Sequence, residues 1–227
     1  MTSEIAVVVS AYNEEERLGE TLAALRSAFP GARVMVADDF SLDRTGAVAS
    51  EAGAEVVRPH KHLGKGGANT LAVQRLMSRG APSELPVLVL CDGDLGASAS
   101  ALPALVDAVR SGSGDLAVGA FARRVGGGFG IALRFSRWAI RRRAGVVVDS
   151  PISGQRALAP DVIRAVVPFA DGFGMETAMT IDAVRAGFRV VEVELPLSHR
   201  ATGKTLGGFV HRFRQLLSFA RVYVSRR

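Results

Sequence analysis

The sequence predicts an α/β protein in which helices flank a mostly parallel sheet. Along the first 120 residues, short apolar runs typical of buried strands alternate with helical segments. The connections between them are short, which favours right-handed crossovers between parallel strands. Acidic residues follow three of the predicted strands within a few positions, at the carboxyl ends where open α/β sheets bind their ligands.

The first half of the chain is predicted to contain five strands and four helices. Asn13 is the predicted N-cap of the first helix, and Leu18, Leu22 and Leu25 form its apolar stripe. The predicted strands span 4–10, 33–37, 54–57, 87–91 and 115–119. The predicted helices span 14–28, 43–52, 67–79 and 101–110, and the third follows a polar loop at 58–67.

Beyond residue 119 the pattern changes. A basic, glycine-rich loop at 121–130 precedes an amphipathic basic helix at 131–143. Two short strands at 146–148 and 154–158, a helix at 174–186, a strand at 188–194 and a tail helix at 206–224 are predicted next. The helices at 131–143 and 206–224 carry both arginines and aromatic residues, as do segments that lie in a membrane interface. The alternative is that they pack on the core with solvated arginines.

The charge is unevenly distributed along the chain. Residues 1–120 hold 10 Lys and Arg against 15 Asp and Glu, whereas residues 121–227 hold 18 against 7. The basic half should face an anionic partner such as lipid headgroups or a phosphorylated substrate. Nucleic acid is not expected, because no helix-turn-helix, zinc-finger or RNA-binding signature is present. The one cysteine, Cys91, excludes a disulfide framework and fits a reducing compartment.

The residues that follow the central predicted strand suggest a metal site. Asp92 and Asp94 stand two residues apart on the turn that leaves this strand, so both can reach one Mg²⁺ or Mn²⁺. A lysine-glycine loop at 64–67 precedes a helix whose N-terminus would attract phosphate. Its spacing is neither a Walker motif nor a dinucleotide fingerprint. These residues predict a nucleotide-diphosphate site with a bridging metal; the alternative is that each acidic cluster caps a helix.

Four motifs together resemble family 2 glycosyltransferases with the GT-A fold, a Rossmann-like nucleotide-binding fold. They are the opening strand and loop at 7–15, the Asp-Asp motif at 36–45, the Leu-Gly-Lys-Gly stretch at 63–68 and the Asp-x-Asp at 92–94. The third resembles the dolichyl-phosphate mannose synthase branch. The resemblance covers nearly the whole chain and implies one domain over 1–227, with a nucleotide-sugar half at 1–120 and an acceptor half at 121–227.

The resemblance also implies roles for individual residues. Asp92 and Asp94 would hold the metal, Mg²⁺ or Mn²⁺. Phe40 replaces the usual glycine of the second motif, and Gly96 replaces a glutamine near the metal, so His199 becomes a candidate third ligand. A purely structural histidine is the alternative. The residues implied in binding the UDP- or GDP-linked sugar are Ala11, Tyr12, Glu14, Asp39, Lys65, Asp92 and Gly93.

For the acceptor the resemblance points in two directions. Arg123, Arg134 and Ser136 resemble phosphate contacts of the polyprenyl-phosphate branch, and Arg200 and Lys204 lie in a late loop that closes over the donor. The stretch at 172–178 is instead similar to the glucosyl-3-phosphoglycerate synthase branch, where a glutamate lies near the acceptor. The residues implied in catalysis are Asp94, Glu176 and Arg123.

The resemblance therefore implies a metal-dependent inverting glycosyltransferase that acts on an anionic acceptor, with polyprenyl phosphate favoured. A soluble hydroxyl acceptor such as 3-phosphoglycerate is the alternative, and it would need a general base such as Glu176. A third hypothesis is a metal-dependent phosphatase or nucleotidyltransferase. A phosphatase of this kind would need threonine two residues after Asp94, where this chain has Gly96. We expect a cytoplasmic protein that touches the cytoplasmic membrane face peripherally.

Overall fold

The computed structural model describes residues 5–79, 85–121 and 130–196 of the 227-residue chain. The strands in these residues form one seven-stranded sheet in the order β3-β2-β1-β4-β6-β5-β7. Neighbouring strands are parallel except β6, which runs antiparallel to both β4 and β5. Their bounds are β1 Ile5–Ala11, β2 Arg33–Asp38, β3 Glu55–Val57, β4 Val87–Asp92, β5 Leu116–Phe121, β6 Arg156–Leu158 and β7 Val190–Leu195. The predicted mostly parallel sheet is confirmed.

Helices cover both faces of the sheet, and an apolar core lies on each face. The helices are α1 Leu18–Ala28, α2 Thr45–Glu51, α3 Lys65–Met77, α4 Pro103–Arg110, α5 Gly130–Ala144, α6 Pro160–Val166 and α7 Met175–Arg185. One core includes residues of α3, α6 and α7, and the other includes residues of α1, α2 and α4. Within β4, Leu88 and Leu90 join the first core while Val89 and Cys91 join the second, as expected for a strand buried on both faces.

Several predicted elements differ from the structure. α1 begins at Leu18, and Asn13 is not its N-cap, because Asn13 has a φ of 56° and its side-chain Oδ1 accepts a hydrogen bond from the Leu42 amide. The predicted strand at 146–148 is absent; Val148 is instead buried with residues of α5 and α7, including Ile140. The sequence reading missed α6, a seven-residue helix too short for a clear period of 3.6 residues.

The topology brings the three acidic clusters to one edge of the sheet. β1 lies between β2 and β4 and pairs in parallel with both, with Ala11 opposite Asp38 and Ser10 opposite Asp92. The loops that follow these three strands therefore meet at one carboxyl-end edge. The predicted loop at 121–130 and the tail helix at 206–224 fall wholly or mostly outside the described residues. None of the helices described is both long and apolar enough to cross a bilayer.

Candidate active site

A cluster of three charged side chains lies at the carboxyl-end edge of the sheet. Lys65 is the first residue of α3, Asp92 ends β4, and Glu176 lies in the first turn of α7. The Lys65 ammonium contacts Asp92 Oδ1 at 2.5 Å and Glu176 Oε1 at 2.7 Å. We call these residues the Lys65–Asp92–Glu176 cluster. It joins residues that are 27 and 84 positions apart along the chain.

The charges in this cluster stabilise one another. Burial by itself would lower the pKa of Lys65, but the carboxylates of Asp92 and Glu176 outweigh burial and raise that pKa above its ordinary value. Lys65 is therefore a permanent cation. The cluster still carries one net negative charge, and neighbouring Asp94 adds another, so the edge attracts cations. The thiol of Cys91 is unreactive, because burial and the charge of Asp92 raise its pKa.

The segment that leads into β6 lies against Asp92. Gln155 Nε2 donates a hydrogen bond to Asp92 Oδ2 at 2.9 Å, and Ser153 donates to Gln155 Oε1 at 3.1 Å. A Cβ on Gly154 would lie 2.5 Å from both Asp92 Oδ2 and Lys65 Nζ, so only glycine leaves room for this contact. Sequence reasoning missed Gly154 and Gln155, because β6 inserts between β4 and β5 only in three dimensions.

A fully buried arginine, Arg156, holds this segment in place by hydrogen bonds. Arg156 donates hydrogen bonds to the carbonyls of Pro151 and Ser153, at 3.0 and 2.9 Å, and to the hydroxyl of Thr180 at 3.0 Å. Thr180 in turn donates to the carbonyl of Glu176. Burial lowers the pKa of Arg156 to about 10, against the opposing effect of Glu176 and Glu192, so the guanidinium stays charged at neutral pH.

A second group of residues, further along the same edge, combines an exposed aromatic ring with a buried carboxylate. Tyr12 follows β1 and is 46% exposed, with its ring centroid 4.8 Å from that of His62. His62 Nδ1 lies 3.0 Å from Asp39 Oδ2, and the Leu63 amide donates to Asp39 Oδ1 at 2.7 Å. The three sequence-predicted residues Tyr12, Asp39 and Lys65 therefore lie along one edge, joined by the segment at 62–65.

The turn between the two candidate metal ligands is fixed by hydrogen bonds. The Gly93 amide donates to the carbonyl of Ser10 at 2.9 Å, and Thr21 donates to the carbonyl of Gly93 at 2.8 Å. Asp92 and Asp94 flank this turn and are both half-buried. The described part of the chain contains no group of three or more His, Cys, Asp or Glu residues that could hold a metal ion.

The predicted acceptor residues are only partly placed. Arg134 is exposed on α5, whereas Ser136 is fully buried with its hydroxyl 2.6 Å from that of Thr177, so it joins α5 to α7. This position gives Ser136 a packing contact, and its predicted acceptor role stays a prediction. Glu14 begins the turn before α1, where its amide donates to Thr45 Oγ1 at 2.8 Å. The remaining predicted residues, Arg123, His199, Arg200 and Lys204, lie outside the described residues.

Comparison with known proteins gives a family match and named relatives. The Glycosyl transferase family 2 profile matches residues 6–152. The chain is 34% identical to an undecaprenyl-phosphate mannosyltransferase of Micrococcus luteus, over 91% of this chain and 89% of the relative. It is 31% identical to a polyprenol monophosphomannose synthase of Mycolicibacterium smegmatis, over 89% of this chain and 80% of the relative.

Solved structures of glucosyl-3-phosphoglycerate synthase from Mycobacterium tuberculosis share the fold. The complex with phosphoglyceric acid has a TM-score of 0.77 and 24% identity, and covers 99% of this chain and 80% of that chain. The complex with Mn²⁺, UDP and glucosyl-3-phosphoglycerate has a TM-score of 0.73 and 25% identity, and covers 96% of this chain and 80% of that chain. The expected GT-A architecture is thereby confirmed.

Proposed function

The chain belongs to Glycosyl transferase family 2, and from that premise we propose that it transfers a sugar from a nucleotide-diphosphate sugar to a polyprenyl phosphate. The observation that carries the proposal is the Lys65–Asp92–Glu176 cluster, which places a fixed cation beside a candidate metal ligand at the ligand-binding edge. The two bacterial relatives named for undecaprenyl and polyprenol substrates support the lipid acceptor.

We propose that the nucleotide sugar lies along the edge formed by β1, β2 and β4. The base would occupy the end marked by Tyr12 and Asp39, and the diphosphate the end marked by Lys65. Aromatic rings stack on bases, and a fixed ammonium binds phosphate oxygens as a point charge. The full set of proposed donor-binding residues is Ala11, Tyr12, Glu14, Asp39, Lys65, Asp92 and Gly93.

A divalent cation, Mg²⁺ or Mn²⁺, fits the residues at the end of β4. The donors are hard carboxylate oxygens, and because Gly154 has no Cβ its backbone can lie close to the Asp92 carboxylate and the Lys65 ammonium. We propose Asp92 and Asp94 as ligands, with His199 as the third. A cation bound there would offset the charge that develops on the departing diphosphate. The proposal agrees with the Mn²⁺ present in solved complexes of glucosyl-3-phosphoglycerate synthase.

The proposed reaction is a direct displacement with inversion at the anomeric carbon. An oxygen of the acceptor phosphate forms a new bond to the anomeric carbon. At the same time the bond between the anomeric carbon and the diphosphate oxygen breaks, and the nucleoside diphosphate leaves. Glu176 would position Lys65 against the diphosphate, and Asp94 would hold the cation. Arg123 and Arg134 would bind the acceptor phosphate, with Ser136, Arg200 and Lys204 as further acceptor contacts.

The ion pair of Glu176 favours a phosphate acceptor. Glu176 Oε1 already accepts a charge-assisted bond from Lys65, and the residue is 5% exposed. To act as a general base, Glu176 would first have to leave this ion pair with Lys65. A hydroxyl acceptor needs such a base, whereas a phosphate is already anionic and needs only to be positioned. The same carboxylate is nonetheless where a base would be needed, so 3-phosphoglycerate remains the second candidate acceptor.

The surface of α5 supports a peripheral membrane contact. Trp138 is 49% exposed, with its ring centroid 5.4 Å from that of Phe135. Arg134, Arg141 and Arg142 on the same helix are exposed. Indole rings together with arginines suit the headgroup region, where an apolar body and a charged tip are both satisfied. We propose that α5 lies on the membrane surface and brings the lipid phosphate to the site.

The test is a nucleotide-release assay with Mn²⁺ or Mg²⁺. Purified protein is offered UDP- and GDP-sugars, with polyprenyl phosphate in vesicles or with 3-phosphoglycerate. We expect release that needs the lipid and is lost in Asp94→Asn and Arg123→Ala. Arg33→Ala is the matched control, because Arg33 is exposed at the amino end of β2, on the opposite edge. Release with 3-phosphoglycerate alone would replace the lipid acceptor, and no release with any pair would refute the transferase proposal.

A further inference from the structure

Phe40 adopts a backbone conformation that a phenylalanine rarely takes. Its φ is 66°, in the left-handed region, within a tight turn in which its amide donates to the carbonyl of Asp38 at 2.8 Å. Glycine reaches this region freely, but for a bulky side chain it is a strained outlier. Such strain persists where the surrounding structure enforces it, and it concentrates at functional sites.

Phe40 is 36% exposed, so part of its surface is open to solvent. The ring is nevertheless held firmly. The Arg58 guanidinium carbon lies 5.2 Å from its centroid, and Arg58 donates hydrogen bonds to Asp38 Oδ2 at 2.9 Å and to the carbonyl of Ser41 at 2.7 Å. A cation above an aromatic face is attracted by the ring quadrupole. The Arg58 side chain thus holds an aromatic ring at the protein surface.

Phe40 stands beside the end of the edge where we place the base. It directly follows Asp39, whose amide donates to the carbonyl of Ala11 at 3.0 Å, so Asp39 is adjacent to Tyr12 across the strand ends. The other described non-glycine residue with positive φ is Asn13, which is tied to the loop after Phe40 by hydrogen bonds to Ser41 and Leu42. These hydrogen bonds hold the two loops against each other, next to Asp39.

We propose that Phe40 forms a wall of the nucleobase site and stacks on the base of the bound nucleoside diphosphate. The inference rests on the proposed function, since it takes the donor to be a nucleotide sugar. A stacking ring suits any base, because every base has a π-face. In this proposal the Phe40 ring contacts the face of the base. The Asp39 carboxylate accepts hydrogen bonds from N–H groups on the edge of the base.

Phe40→Gly separates this role from a structural one. Glycine relieves the left-handed strain, so the melting temperature should stay the same or rise. We expect the affinity for UDP or GDP in the presence of Mn²⁺, measured by titration calorimetry, to fall about tenfold. Affinity for inorganic pyrophosphate, which has no base, should not change. Phe40→Tyr retains the ring and should bind as the wild type does.

Leu42→Ala is the matched control, because Leu42 is an apolar residue in the same loop and is 81% exposed. It should leave nucleotide affinity unchanged. Unchanged UDP and GDP affinity in Phe40→Gly would overturn the inference, and so would an equal loss of pyrophosphate affinity. Nucleotide binding by the wild type with no effect of Phe40→Gly would leave the proposed function standing. Failure of the wild type to bind any nucleoside diphosphate would overturn both.

Discussion

At the scale of single residues, Lys65 is the centre of the site. Its ammonium contacts both Asp92 and Glu176, which belong to different elements and come from opposite halves of the chain. Its ammonium keeps two carboxylates close together that would otherwise repel each other. Because its pKa is raised, the charge of Lys65 does not change across the physiological range.

Lys65→Met tests this role. Without the ammonium, the carboxylates of Asp92 and Glu176 face each other with no cation between them, so the site should open. We expect kcat to fall about 10²-fold and the free energy of unfolding to fall by about 1–3 kcal/mol. Steady-state kinetics and urea unfolding would measure both. Lys61→Met, at an exposed position in the same loop, should change neither; retained activity in Lys65→Met would contradict the assignment.

Gly154→Ala tests the close approach of the β6 segment. The added methyl group would overlap the ends of two flexible side chains, Asp92 and Lys65, and would displace them. We expect kcat to fall tenfold or more, as for about 1 Å of misplacement, while the free energy of unfolding changes by less than about 1 kcal/mol. In Gly19→Ala the new Cβ would be 3.7 Å from Val48, an ordinary contact, so kcat should be unaffected. Equal losses in the two variants would argue against the prediction.

At the scale of elements, the site depends on how β6 and α7 are joined. Arg156 at the start of β6 bonds to the carbonyls of the preceding turn and to Thr180 of α7, so it links the segment above Asp92 to the helix that carries Glu176. A buried guanidinium is expensive to desolvate, and here every bond it makes goes to a carbonyl or hydroxyl oxygen. This arrangement fixes the spacing between two elements that supply separate parts of the cluster.

The contact between β3 and α3 makes stability depend on pH. Glu55 accepts hydrogen bonds from Arg75 at 2.6 Å and from Arg79 at 2.5 and 2.6 Å. Burial opposes ionisation of Glu55, but the two guanidinium groups outweigh it and lower its pKa. A lowered carboxyl pKa stabilises the fold above the ordinary value of about 4.3, and that stability is lost as the pH falls through the lowered pKa.

In Glu55→Gln the free energy of unfolding should therefore fall less steeply than in the wild type as the pH is lowered. The wild type should lose about 1 kcal/mol more than the variant when urea unfolding at pH 7 is compared with unfolding at pH 3. Glu51→Gln is the matched control, since Glu51 pairs with Arg44 at a well-exposed position. If Glu55→Gln lost as much stability as the wild type on acidification, the ion pairs of Glu55 would not carry the effect.

At the scale of the whole molecule, the two halves of the chain differ in charge. Residues 1–120 carry a net charge of −5, and residues 121–227 carry +11. The acidic half provides the two carboxylates that we propose to hold a cation, Asp92 and Asp94. The basic half provides His199, the proposed third ligand, and the residues that we propose to meet anionic lipid and phosphate. If the ligand binds at the sheet edge where β1, β2 and β4 end, its binding should also raise the free energy of unfolding of the whole molecule.

A thermal-shift measurement tests this coupling. A ligand at 100 times its dissociation constant stabilises the folded state by about 2.7 kcal/mol, which for a chain of this length raises the melting temperature by roughly 5–10 °C. We expect UDP or GDP with Mn²⁺ to reach this shift, and either component alone to give less. Asp94→Asn should lose the part that needs Mn²⁺. A shift independent of Mn²⁺ would contradict the metal site.

Much of the fold and part of the site follow from the sequence. The β-branched and apolar runs determine β1, β2 and β4, because a strand buried on both faces needs apolar residues at every position. Their parallel order then brings Asp39 and Asp92 to one edge. The prediction of Asn13 as an N-cap was wrong because a short polar residue before a helix suits an N-cap and a left-handed turn equally well. Only the hydrogen bond from the Leu42 amide to Asn13 Oδ1 distinguishes the two.

By itself, the sequence determined the α/β class, the family and the residues at the strand ends, since these depend on local pattern and on short motifs. Only the tertiary structure decided that β6 returns antiparallel between β4 and β5, and that Glu176, Gln155 and Gly154 meet at Lys65 and Asp92. These contacts join residues 27 to 111 positions apart, and no local pattern encodes the pairing of such distant segments. The pairing arises from the burial of both faces of one sheet, which brings these distant segments together around the cluster.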